Sequence, residues 1–220
     1  MKKITFFLML LLSLNLYSKN YYKAKVFKVN GDVIECYSEL PRNNFASKNL
    51  LYKTDLNSKE TIKIKYDEIE SIIVISKDGK SYYFERVASR FIYKTLKGEI
   101  KNKAAKKKTW KFMVYHNDAI QVFYEADSYY FNKKNELISK AAGVQTTTIP
   151  ILFRRQGEEF PTYITEILSG AIEIGKNNAF RKMAAVYFED DAEFVKRIQD
   201  KEFKAKGFIE LAHEYGEYKK

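Results

Sequence analysis

YYKAKVFKVNGDVIECYSEL, residues 21–40, sets two runs rich in Val, Ile, Phe and Tyr on either side of Asn30-Gly31. Such residues suit a pleated, half-buried surface, and Asn and Gly tolerate the positive φ that a two-residue hairpin loop demands. Residues 22–28 and 32–40 are therefore predicted to form a tight antiparallel hairpin. The device recurs at Asp78-Gly79, which joins residues 71–75 to 81–85. Between the two, TIKIKY over 61–66 alternates polar with apolar, so Ile62, Ile64 and Tyr66 share one buried face. Tyr66-Asp67-Glu68-Ile69 reads as a brief turn into another strand. Residues 41–60, with Pro41, Asn43, Asn44, Ser47, Asn57 and Ser58, read as a long loop carrying one strand around Leu50-Leu51-Tyr52. Five or six short strands before residue 88 predict a small antiparallel barrel or sandwich.

Outward from this hairpin, a second strand-rich stretch runs through Arg90-Phe91-Ile92-Tyr93, then residues 111–115, 120–124 and 128–131. Asn117-Asp118 and Asp127 supply its turns. Residues 151–155 and 160–164 flank Gln156-Gly157-Glu158-Glu159 as one more hairpin, which completes a β meander. Helical spacing first appears near the end, where Phe180, Met183, Ala184 and Tyr187 recur at i, i+3, i+4 and i+7. Asp190 with Glu193 resembles a capping box ahead of Phe194 and Ile198, and Gly207 precedes a last helix with Phe208, Leu211, Ala212 and Tyr215 on one stripe. The expected fold is α+β and mainly β. A small barrel or sandwich occupies 19–88, a second meander 89–175, and about three helices over 176–220 pack on the β part.

Composition bounds the function classes. The chain has 220 residues, 45% of them hydrophobic, with three Pro and nine Gly, which excludes collagen-like, low-complexity and wholly disordered chains. Met1-Lys2-Lys3 followed by an apolar run from Ile4 to Leu16 has the form of a signal peptide. The run is shorter than the roughly 20 residues of a membrane-spanning helix, so cleavage is expected after Ser18. No span is expected in the mature chain, and its setting would be periplasmic, outer-envelope associated or secreted. The single Cys36 forbids an internal disulfide; it is read as a buried small hydrophobe or, alternatively, as an intermolecular disulfide or a reactive nucleophile.

Loss of Lys2 and Lys3 takes the formal charge from +11 to +9. Residues 177–220 hold nine cations and nine anions, so the excess lies before them, densest in KNKAAKKKTWK over 101–111. A basic run beside Trp110 could hold anionic lipid, acidic glycan or nucleic acid; as a bare lysine-rich loop it would only solubilise. The expected patch is Lys103, Lys106, Lys107 and Lys108, making weak contact with anionic surfaces without specific nucleic-acid recognition.

Catalytic motifs are missing from the sequence. His213-Glu214-Tyr215-Gly216-Glu217 has Glu where a zinc-protease helix needs its second His. No nucleophile elbow, dinucleotide loop or phosphate loop occurs. Glu158-Glu159, Asp190-Asp191 and Asp67-Glu68 could supply an acid and a base, but adjacency does not set the spacing of a carboxylate hydrolase. No catalytic residue, cofactor or metal is expected. Tyr124, Tyr129, Tyr130 and Phe131 are read as core, with a glycan or peptide groove as the other reading.

The opening YYKAKVFKVNGDVIECY, IKYDEIESIIV with the KDGKSYYFERV hairpin, ILFRRQGEEFPTYI, and the closing AFRKMAAVYFEDDAEFVKRIQDKEFKAKGFIELAHEYGEY together resemble uncharacterised secreted proteins of the Bacteroidetes type. That resemblance implies a β-rich module with a short helical tail in an envelope or secreted setting, and brings no site residues. The expected function is a non-catalytic interaction or structural module of unknown envelope or extracellular partner. The alternative is a lipid or glycan carrier with a pocket in the β meander.

Overall fold

Three hairpin loops share one backbone solution. Gly31 donates to the Lys28 carbonyl (3.0 Å), Gly79 to Ser76 (3.0 Å) and Asn135 to Asn132 (3.0 Å), and each loop is closed by a second bond: Lys28 to Asp32 (2.9 Å), Ser76 to Lys80 (2.9 Å) and Asn132 to Glu136 (3.0 Å). The last loop residue is left-handed each time, with φ of 89° at Gly31, 84° at Gly79 and 58° at Asn135. These are three-residue loops, a turn followed by one left-handed position. The two-residue loops expected at Asn30-Gly31 and Asp78-Gly79 are corrected accordingly, because only the glycine of each pair crosses to positive φ.

The computed structural model describes residues 20–44, 47–94, 99–141, 147–169 and 175–220. The leader expected over 1–18 lies outside the described residues. The strands are β1 (Tyr22–Lys28), β2 (Val33–Ser38), β3 (Asn49–Lys53), β4 (Ile62–Lys65), β5 (Ile69–Ile75), β6 (Ser81–Lys94), β7 (Ile100–His116), β8 (Ile120–Tyr124), β9 (Ser128–Phe131), β10 (Leu137–Lys140), β11 (Thr147–Arg155) and β12 (Thr162–Ser169). Helices α1 (Lys176–Tyr187), α2 (Ala192–Gln199) and α3 (Phe208–Tyr218) follow.

Ten strands form one sheet in the order β12-β11-β8-β7-β6-β5-β1-β2-β3-β4, while β9 and β10 pair separately. A parallel pairing of Thr162 in β12 with Arg90 in β6 closes β6, β7, β8, β11 and β12 into a five-stranded barrel. The fold is thus α+β and mainly β, with a barrel, further strands and three terminal helices. Closure falls in the later strands, and the early ones continue the same sheet as a wing. β6 has 14 residues and β7 has 17, and both run through the two regions. The boundary expected at 88/89 lies within β6.

Two cores result from the alternation of side chains along these shared strands. One gathers Val26, Leu50, Ile72, Phe84, Trp110 and Tyr129 under the wing. The other joins Val122, Ile151, Phe153 and Ile164 of the barrel to Phe180, Tyr187, Phe194, Ile198, Phe208 and Leu211 of the helices, with Met183 at its margin. Asn43 ties a loop to this frame by imitating a strand: its side-chain amide accepts from the Trp110 N–H (2.7 Å) and donates to the Trp110 and Ala126 carbonyls (2.8 and 2.7 Å). The cap of α2 is Asp191, which accepts from the Phe194 N–H at 3.1 Å. Asp190, the expected cap, instead pairs with Arg155 at 2.6 Å.

Gly216 marks where α3 meets the β7–β8 turn. A Cβ there would stand 2.0 Å from Asn117 Nδ2. Asn117 cannot easily yield, since its Oδ1 accepts from the Ala119 and Ile120 N–H groups at 3.0 and 2.9 Å. Gly216→Ala gains up to about 1 kcal/mol of helix propensity but overpacks a fixed contact, at a cost of roughly 1–3 kcal/mol. A lower urea midpoint is expected; a raised midpoint would mean that the turn moves aside freely.

Candidate functional site

Residues 101–108 lie in strand β7, which corrects their reading as a loop. β8 pairs only with the stretch of β7 from Phe112 onward, so among the described residues the first part of β7 has β6 alone beside it. The β6–β7 arm places Phe91 opposite Lys103 and Tyr93 opposite Lys101. Directly opposed residues of an antiparallel pair share a face, so these four side chains form one surface. Phe91 is 46% exposed and Tyr93 48%, and both lysines stand in solvent. Tyr163 stacks on Phe91 with ring centroids 6.1 Å apart and planes at 30°.

Of the expected patch, Lys103 belongs to this face. Lys106, Lys107 and Lys108 are also exposed, but the register shifts between the Ala88–Lys108 and Arg90–Ala104 pairs, and the three residues 105–107 stand against Ser89 alone. That bulge interrupts the alternation and separates them from Lys103. Lys101, Phe91 and Tyr93 were not among the expected residues. Their signal is present in the sequence as Phe91-Ile92-Tyr93 and Lys101-Asn102-Lys103, two period-2 runs flanking a connection.

Lys111, the last cation of the tract, is fully buried. Its Nζ donates to the Val87 carbonyl (2.8 Å) and Thr109 Oγ1 (2.8 Å) and lies 3.2 Å from Glu125 Oε2. An ammonium has three protons, and here each has an acceptor. Burial pulls the Lys111 pKa below the ordinary lysine range, and the Glu125 charge opposes that pull. Ser89 Oγ donates to the same Glu125 oxygen at 2.8 Å. Close by in register, Arg154 forms a bidentate pair with Glu85 at 2.7 and 2.6 Å and donates to Gln121 at 2.7 Å. These groups hold one another and hold the strands in register.

A second cluster joins the β11–β12 hairpin to β6 and α1. Glu158 Oε1 accepts from Arg90 (2.6 Å) and Arg155 (3.5 Å), while Oε2 accepts from the Tyr187 hydroxyl (2.6 Å) and the Arg155 N–H (3.0 Å). A carboxylate offers about four acceptor positions, so none is left for a substrate proton. Burial and the Glu158 charge raise the Tyr187 pKa well above that of a free phenol. The structure therefore brings Glu158 and Asp190 to one guanidinium, that of Arg155, while Asp67 pairs elsewhere with Arg86 at 2.6 Å.

The remaining candidates divide between core and surface. Cys36 is buried, and desolvation pushes its thiol pKa up to about 11, which disfavours the reactive thiolate. His213 Nδ1 lies 3.3 Å from the Tyr115 hydroxyl. Among the described residues no group of three His, Cys, Asp or Glu side chains is placed to hold a metal ion. Tyr129 is core, Tyr124 packs on Phe208, and Tyr130 is exposed. No helix among the described residues is long and apolar enough to cross a membrane. Comparison with family models, with curated proteins and with solved structures finds no match to this chain.

Proposed function

We propose that the chain is an exported, non-catalytic interaction module that attaches to anionic surfaces of the cell envelope through the β6–β7 arm. The observation that carries this reading is the cross-strand face of Phe91, Tyr93, Lys101 and Lys103. Exposed rings settle at the boundary between apolar and polar layers, and lysines near an anionic surface each contribute about 1 kcal/mol. Lys106, Lys107 and Lys108 add longer-range attraction, screened beyond a Debye length of about 8 Å at physiological salt. The saturated clusters around Lys111 and Glu158 support a scaffold role for the buried charges. Export rests on the Met1–Leu16 pattern and on the resemblance to secreted Bacteroidetes-type proteins.

Co-sedimentation with phosphatidylglycerol vesicles tests the arm. At low salt, Lys101→Gln/Lys103→Gln is expected to weaken retention about thirtyfold, the equivalent of about 2 kcal/mol. Phe91→Ser/Tyr93→Ser should weaken it at both low and high salt, because burial of rings is little screened. Equal retention of the parent and the lysine variant at low salt would remove the arm from consideration.

A further inference from the structure

Helix α1 carries apolar surface that the core covers only in part. Phe180, Ala184 and Tyr187 are buried in the helical core. A second stripe, Ala179, Met183 and Val186, recurs at i, i+4 and i+7 beside the first. It lines a groove of about 830 Å³ that opens between α1, the end of α2 and β6. Ile92 completes the apolar floor, and Tyr93, which also belongs to the face of the arm, lines the edge of the groove. The volume lies within the roughly 300–1,000 Å³ typical of small-molecule sites.

Charge around this groove is one-sided. Arg181, Lys182 and Lys201 line it, and among the described residues no carboxylate does. Arg181 is held in place by donating to Asn178 Oδ1 at 2.6 Å and to the Phe203 carbonyl at 3.3 Å. Lys201 occupies the left-handed region with φ of 68°, just past the end of α2. An apolar floor beneath a rim whose described charges are all cationic complements a molecule with one hydrocarbon tail and one negative head.

We infer that this groove binds a fatty acid, its chain along Ile92, Met183 and Val186 and its carboxylate among Arg181, Lys182 and Lys201. The assignment goes beyond the arm's attachment to surfaces and does not depend on it. A neutral amphiphile would leave the rim without a partner, and a cationic one would be repelled.

Isothermal titration of the full chain with laurate, at concentrations where laurate is monomeric, provides the test. Dodecyl maltoside and dodecyltrimethylammonium serve as uncharged and cationic counterparts. Laurate is expected to bind the parent at least about tenfold more tightly than either counterpart. Lys182→Glu/Lys201→Glu should weaken laurate by about tenfold or more, reversing two exposed charges that no core contact needs. Ala179→Trp, at an exposed position, should fill the groove and abolish binding while leaving the melting temperature and vesicle retention unchanged. Absence of laurate binding by the parent, equal binding of the cationic counterpart, or full binding by Ala179→Trp would each overturn the assignment. None of these results bears on the arm, whose own failure is read from the vesicles.

Discussion

Phe194→Ala is expected to lower stability by about 3–5 kcal/mol, the range for truncating a fully buried Phe. The ring is 0% exposed and sits among Phe188, Phe203, Tyr215 and Tyr218, with centroids 5.1, 5.9, 5.2 and 5.7 Å away. It stands in the first turn of α2 and touches rings from α3 and from the segments flanking α2, so truncation opens a cavity that no single rotamer change can fill. For a chain of this length the melting temperature should fall by roughly 6–20 °C. A fall of less than about 2 °C in a thermal melt would show that the helices contribute little to the common core.

Glu158→Ala should cost about 2–4 kcal/mol. The carboxylate is mostly buried, and its loss leaves the partly buried Arg90 guanidinium without its carboxylate and the Tyr187 hydroxyl without its acceptor, while Arg155 keeps Asp190 at 2.6 Å. Removing one partner from such a network is worse than removing the network, because the desolvated charges that remain find no substitute in the interior. Tyr187→Phe alone deletes one hydroxyl and should cost about 1 kcal/mol. In a double-mutant cycle the two changes should be non-additive by at least about 0.5 kcal/mol. Strict additivity in urea unfolding would mean that Glu158 and Tyr187 act through separate contacts.

Strand identity was legible in the sequence wherever a turn residue punctuated an alternating run. Gly31, Gly79 and Gly157 mark real hairpin loops, and the stripes of α1 and α3 bury the residues their spacing indicated, Met183 only in part. The extent of β6 and β7 was not legible, since neither shows a composition break where one core gives way to the other. Lysine-rich residues 101–108 look like a loop because β7 there has little to bury and takes its strand geometry from pairing with β6. β10 was missed for a related reason: Leu137–Lys140 is four residues long, and its loop turns on the left-handed Asn135 rather than on a glycine. The polar clusters were unreadable because their members come from separated strands, so only three-dimensional closure brings Ser89, Lys111 and Glu125 into contact.

The early part of β7 also bears on how many copies of the chain can share a small volume. Backbone N–H and C=O groups along one flank of residues 100–109 have no strand of the described chain beside them, and such a flank is a template on which another molecule can extend the sheet. Lysines at 101, 103, 106, 107 and 108 charge that flank. Two copies meeting edge to edge would bring five positive side chains from each into register, and like charges directly opposed are unfavourable. The tract thus opposes edge-to-edge growth, because a second copy of the same strand is the partner its charge most repels.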